Sequence, residues 1–144
     1  MEYHVKQFSQ LTTKEFLELV KLRIAVFVVE QNCPYQEVDD ADELAYHTWL
    51  QEGTDIVGYT RIIDKGDTVT FGRVIVNPDY RGKKLGNKLV EETLKVVEDK
   101  YPTRPIIIGA QAHLTEFYGA FGFEVISDVY LEDDIPHVEM RKIK

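Results

Sequence analysis

A strand that feeds a basic, glycine-containing turn and a helix, followed by a second all-apolar strand, constrains this chain more than any other feature. Val74-Ile75-Val76 runs through Asn77-Pro78-Asp79 and Arg81-Gly82-Lys83-Lys84-Leu85-Gly86 into a helix marked by Leu85, Leu89, Val90, Leu94 and Val97, which ends before Pro102. Ile106 to Ala110 is then uninterrupted and apolar, the pattern of a strand buried on both faces. A strand, a crossover helix and a second buried strand make the two strands parallel. With 144 residues, this unit belongs to one domain spanning residues 1–144, and no repeat or linker divides it.

The remaining segments read as antiparallel. Tyr46 to Leu50, Ile56 to Ile63 and Thr68 to Val76 are rich in β-branched and aromatic residues, and turns at Glu52-Gly53 and Lys65-Gly66-Asp67 separate them into a meander. Before them, Thr12 and Glu15 form a capping box for a helix from Thr13 to about Phe27, with Phe16, Leu19, Val20, Ile24 and Phe27 at helical spacing. Gln31 to Ala45 lacks periodicity and is expected as a long loop or broken helix. After the crossover, Leu114, Phe117, Tyr118 and Phe121 mark a short helix stopped by Gly122. Phe123 to Tyr130 and His137 to Lys142 then complete the sheet. The expected fold class is α/β with a sheet of mixed strand direction.

Charge excludes some partners. Against 17 Lys and Arg stand 25 Asp and Glu, a net charge of −8, the wrong sign for a chain that binds nucleic acid. The longest apolar run, Ile24 to Val29, falls far short of the roughly 18 residues of a membrane span, and the start lacks a signal-like segment. No membrane association and a cytoplasmic location are the expectations, and the single cysteine, Cys33, fits a reducing compartment. Eight acids and no Lys or Arg lie between Ile24 and Thr60. That run either forms a solvated acidic surface or draws a cationic partner.

Within this acidic chain, Arg81, Lys83, Lys84 and Lys88 invert the sign locally at a helix start. Free helix N-terminal amides favour a phosphate, and Gly82 and Gly86 let the backbone come close to it. No Walker pattern and no G-x-G-x-x-G is present, so ATPase and dinucleotide readings lose their main support. His4, His47, His113 and His137 lack metal-ligand spacing, and Asp39-Asp40-Ala41-Asp42-Glu43 lacks the glycine of a calcium loop. No metal is expected. Cys33 has no His/Asn partners at triad spacing, so a buried or turn thiol is preferred to an acyl-carrying nucleophile.

Arg81, Lys84 and Gly86 after an apolar strand resemble the Arg/Gln-x-x-Gly-x-Gly/Ala motif of the GNAT superfamily of acetyl-CoA-dependent N-acetyltransferases, with Lys84 in place of the first glycine. Ala110 to Gly119 with Phe121-Gly122-Phe123 is similar to a second GNAT segment, Phe117-Tyr118 and Gly122-Phe123 being in register. Leu22 through Asp42 resembles the ElaA-like branch, so the resemblance covers nearly the whole chain. It implies a GNAT-like sheet, mostly antiparallel with a splayed parallel strand pair and flanking helices, and acetyl-CoA as co-substrate in the resulting cleft.

On that resemblance, the cofactor-binding residues are Val74, Ile75 and Val76, which pair with the pantetheine arm, and Arg81, Gly82, Lys83, Lys84, Leu85 and Gly86, which hold the pyrophosphate. A backbone N–H near Val74 to Val76 stabilises the developing oxyanion. A neutral amine attacks directly in a ternary complex, and Tyr118 protonates the leaving thiolate as general acid; its alternative role is a core aromatic. An ammonium acceptor needs a base or a water relay. Glu30, which follows the apolar end of the first helix, is the first choice among Glu30, Glu37, Asp40, Glu43 and His47, with capping a turn or pairing with Arg23 as its alternatives. Arg73 either orients an acceptor carboxylate or forms a buried ion pair; Trp49 and Tyr59 read as packing residues. The acidic loop and Glu132-Asp133-Asp134 point to a cationic small-molecule or peptide amine. A non-catalytic acyl-CoA-binding or protein-interaction module on the same fold, and a homodimer, stay open.

Overall fold

In the computed structural model, which describes residues 1–143, β1 (Glu2–Gln7), β2 (Tyr46–Glu52), β3 (Asp55–Asp64) and β4 (Val69–Val76) form one antiparallel sheet in that order. The meander from β2 to β4 follows the expected boundaries closely. Sequence patterning misses β1, because this outer strand is short, carries His4, Lys6 and Gln7, and buries no side chain fully.

The alternating pleat puts a helix on each face. On one face, His4 stacks on Trp49, and Trp49, Tyr59 and Ile75 pack against Leu19 of α1 (Thr13–Ile24). On the other face lies α2 (Leu85–Lys100), whose Leu89 meets Leu50, while Ile62 joins a cluster with Val90 and Val97. Hydroxyls cross-link that second interface: Tyr3 to Thr93 at 3.3 Å, Thr60 to Thr93 at 2.9 Å, and Thr48 to Thr60. Gly58 is required here. A Cβ at this position would sit 2.9 Å from the Ile75 carbonyl oxygen and 3.2 Å from Leu89.

The capping box at α1 forms as expected, with Glu15 N–H donating to Thr12 Oγ1 at 3.0 Å and Thr12 N–H to Glu15 Oε1 at 2.9 Å. The α-helix ends at Ile24, three residues before the expected limit. It loosens into a π-helical turn over Ala25–Glu30, where Val26, Phe27, Val28 and Val29 crowd the ladder with β-branched and aromatic side chains.

A second sheet centres on β8 (Ile135–Lys142), with β5 (Ile107–Gln111) on one edge and β6 (Phe123–Val125) and β7 (Tyr130–Glu132) pairing with it as well. The strand expected over Phe123 to Tyr130 is thus two short strands. Between them Ile126 N–H donates to the Glu139 carbonyl, and Ser127 Oγ accepts from Glu139 N–H, diverting the chain. The expectation that Ile106 to Ala110 is buried on both faces is also corrected. Ile106, Ile108 and Ala110 are buried, whereas Gly109 is exposed, because its face opens into a cleft.

The two sheets meet at one parallel bridge, Val69 with Ile106, supported by Val69 N–H donating to the Pro105 carbonyl at 3.0 Å. Beyond it β4 and β5 run parallel without a ladder among the described residues. This is the splayed parallel pair of the expected fold class. No helix among the described residues is long and apolar enough to cross a membrane.

Candidate active site

The turn after β4 is pinned before it reaches α2. Asn77 N–H donates to the Val57 carbonyl at 2.7 Å, its Nδ2 to the Ile56 carbonyl at 2.9 Å, and its Oδ1 accepts from Asp79 N–H at 3.0 Å. Gly82 (φ +86°) and Lys84 (φ +57°) then turn left-handed. Lys84 therefore adopts the backbone conformation that a glycine would supply without strain, at about 1 kcal/mol. No side chain caps α2. Its first-turn amides, the dipole of sixteen residues, and Arg81, Lys83, Lys84 and Lys88 together suit a phosphate, and a Cβ on Gly82 would meet nothing within 4 Å.

Glu30, expected as the base, stands at this turn. Both its oxygens lie 2.7 Å from the Arg81 guanidinium, which holds its carboxyl below the usual carboxylate range. It is absent from the lining of the cleft between β4 and β5. The reason is local: the π-helical turn carries residue 30 past the cleft to the phosphate turn.

That cleft encloses about 560 Å³. Its walls are the splayed stretches 71–74 of β4 and 108–111 of β5, and Tyr118 of α3 (Thr115–Gly119) closes its base. Tyr118 is 5% exposed and packs against Phe71, Phe117 and Phe123. Burial alone pushes its hydroxyl up to about 12, so it keeps its proton throughout the neutral range. The far end of the cleft is formed by Cys33, Tyr35 and Asp39 on one side and Glu132, Asp133 and His137 on the other. Cys33 Sγ–H donates to the Asp133 carbonyl at 3.2 Å, linking the two sides.

Much of the acidic run is neither a free surface nor a field for a cation. Arg23, fully buried, places Nε 3.1 Å from both Glu37 oxygens and binds Asp42 through Nη1 at 2.9 Å and Nη2 at 3.1 Å. Arg61 Nη1 donates to Asp39 at 2.7 Å and Asp42 at 3.1 Å; Arg73 reaches Glu37 Oε2 at 2.7 Å and the Glu37 carbonyl at 3.0 Å. Three guanidinium groups thus balance Glu37, Asp39 and Asp42. Burial opposes the Arg23 charge, yet Tyr59, Asp42 and Glu37 hold its pKa above the usual arginine value. Of the two alternatives for Arg73, an ion pair is observed, from a half-buried guanidinium to the buried Glu37, and Arg23 pairs with Glu37 and Asp42 rather than Glu30.

His47 is buried and bonded at both nitrogens, to Tyr59 Oη at 2.6 Å and the Asp42 carbonyl at 2.8 Å, and burial lowers its pKa. Tyr59 is more than a packing residue, since its hydroxyl joins this network. The resemblance of the turn, the splay and the buried tyrosine to one family is matched by comparison of sequences. The family described as "Acetyltransferase (GNAT) domain" matches residues 12–144. The chain belongs to the GNAT family.

Among GNAT relatives, protein ElaA of Escherichia coli strain K12 is 41% identical over 99% of this chain and 96% of its own length. The crystal structure of Escherichia coli ElaA superposes with a TM-score of 0.95, covering 99% of this chain and 100% of that one. An acyl-CoA N-acyltransferase from Pseudomonas aeruginosa is 40% identical, with a TM-score of 0.94 over 99% of this chain and 100% of that one. An aminoglycoside 6′-N-acetyltransferase complexed with coenzyme A shares the fold at 16% identity, with a TM-score of 0.70 over 96% of both chains. The family assignment, the GNAT-like α/β fold and the ElaA-like branch follow.

Two features of the site escape sequence reasoning. The arginine network joins residues 23, 61 and 73 from three elements to one loop, a pairing no local spacing announces. Metal-ligand spacing alone gives His137 no role. A finer signal existed in His137-Val138-Glu139-Met140, where Val138 and Met140 are core and the histidine falls on the opposite face.

Proposed function

We propose that this protein transfers an acetyl group from acetyl-CoA to a primary amine by direct attack in a ternary complex. One observation carries the reading: the cleft opened by the β4/β5 splay is lined by Tyr118, and β4, which forms one of its walls, leads directly into an uncapped, basic helix start. The amides of residues 82–86, with Arg81, Lys83 and Lys84, hold the pyrophosphate, and the edge of Val74, Ile75 and Val76 that is not laddered to β5 faces the pantetheine arm. Acetyl-CoA supplies the activated thioester. A backbone N–H of that strand steadies charge on the carbonyl oxygen, and Tyr118 delivers its proton to the departing sulfur.

The acceptor we assign is cationic, on narrower grounds than the acidic run suggested. Asp39 is committed to arginine, so Glu132 and Asp133 at the mouth carry the attraction. Release of CoA thiol should be followed with spermidine, Nα-acetyl-lysine amide, glycinamide and glutamate at low salt. The reading predicts turnover of the cationic amines first. Preference for glutamate would contradict it, and acetyl-CoA binding without turnover of any amine would indicate a non-catalytic module.

The Glu30–Arg81 pair adds a prediction. It is exposed and screened by solvent, and it competes with pyrophosphate for Arg81. Glu30→Gln is therefore expected to tighten acetyl-CoA by about two- to fivefold in a calorimetric titration. Weaker binding would mean that the pair orders the turn rather than obstructing it.

A further inference from the structure

The acceptor ammonium must lose a proton before it can attack, and most carboxylates and histidines near the cleft are engaged elsewhere. Glu30 serves Arg81, Glu37 and Asp42 serve Arg23, and His47 is bonded at both ring nitrogens. His137 differs. It stands on β8 opposite Gln111 at the open end of β5, and it lines the same cleft as Tyr118 while only 8% exposed.

Its ring is oriented from two sides. Nδ1 lies 2.7 Å from the Ile135 carbonyl, which can only accept, so Nδ1 carries the hydrogen. In the neutral ring the lone pair is therefore on Nε2, which lies 3.4 Å from Glu132 Oε2. Tyr130 stacks on the ring with centroids 6.1 Å apart. The backbone acceptor fixes the tautomer, Nε2 makes no hydrogen bond among the described residues, and the carboxylate beside it stands where it can stabilise positive charge on the ring.

We propose that His137, supported by Glu132, is the base that deprotonates the acceptor amine. This rests on the amine acetyltransferase reading above. An ammonium N–H bond breaks and the proton joins Nε2, where Glu132 stabilises the imidazolium. The freed nitrogen pair forms the bond to the thioester carbonyl carbon, the C–S bond breaks, and sulfur leaves with its electron pair and the Tyr118 proton. The nitrogen's second surplus proton restores Tyr118 through solvent, and His137 releases its own to bulk water. One proton is set free per acetyl group moved.

The ionisable groups around this ring are Glu132 and Tyr130 of β7, Asp133 of the adjoining turn, Glu139 further along β8, and Tyr118, Cys33, Tyr35 and Asp39 across the cleft. Arg61 and Arg73 also border the cleft, held by Asp39, Asp42 and Glu37. Two amines separate the base from a structural role. The side-chain amine of Nα-acetyl-lysine amide has a pKa of about 10.4, whereas the α-amine of glycinamide lies near 8 and needs far less help at about pH 8.

His137→Asn can keep the donor to the Ile135 carbonyl and cannot accept the proton. For Nα-acetyl-lysine amide it should lower kcat/KM by about 10²- to 10⁴-fold, with a much smaller loss for glycinamide and an unchanged acetyl-CoA Kd. Glu132→Gln, on an exposed side chain, should move the lysine amide rate in the same direction by less, and it decides the matter if His137→Asn does not fold. An equal loss for both amines overturns the proposal alone. Failure of the wild type to acetylate either amine overturns the acetyltransferase reading and the base with it.

Discussion

Arg23→Ala is expected to lower stability by about 3–5 kcal/mol, read as a fall in the urea midpoint at unchanged slope. The guanidinium is fully buried and binds Asp42 in a bidentate pair, with Nε against both oxygens of Glu37. Its removal leaves two buried carboxylates short of their principal partner. Arg61 and Arg73 each retain a contact with one of them, so the loss falls short of two isolated buried charges. Because Glu37 and Asp42 tie residues 31–45 to α1, the same variant should loosen the acceptor end of the cleft. A shift below about 1 kcal/mol would mean that water or local rearrangement satisfies the carboxylates and that the network does not fix this loop.

Tyr118→Phe is the counterpart at the reacting end. It removes one oxygen and keeps the ring that packs against Phe71, Phe117 and Phe123, so the fold should lose no more than about 1 kcal/mol. Turnover should fall by about 10²- to 10⁴-fold with acetyl-CoA affinity unchanged, because only the proton for the departing sulfur is missing. A steady-state assay of thiol release, with calorimetry for the affinity, separates the two quantities. Unchanged turnover would reduce Tyr118 to a packing residue and leave the sulfur to depart unprotonated or through water.

Much of the fold was legible because its elements advertise themselves locally. The capping box at Thr12 and Glu15, the meander turns, and the strand-turn-helix at residues 74–86 each carry a short-range pattern, and each forms where the pattern lies. What escaped was non-local or compensated. β1 is an outer strand whose half-buried pattern resembles a polar N-terminal segment, and Gly109 interrupts the burial of β5 because a cleft faces it. Lys84 shows that a departure from motif need not change the backbone, since it adopts the left-handed turn all the same. The acidic run illustrates the limit of charge counting: its arginine partners come from α1, β3 and β4, and only the tertiary fold cancels Glu37, Asp39 and Asp42. Glu30, chosen because it follows the apolar end of the first helix, pairs with Arg81 at the phosphate turn, for the π-helical turn that places it there has no signature in spacing.

In the proposed complex acetyl-CoA occupies the splay between β4 and β5 with its pyrophosphate at the start of α2. A calorimetric titration of the purified protein with acetyl-CoA, with acetate and AMP as controls, tests this most directly. The account predicts saturable one-to-one binding that neither control reproduces, weakened when Arg81, Lys83 and Lys84 are changed together to glutamine. Absence of binding, or binding indifferent to those three substitutions, would contradict it.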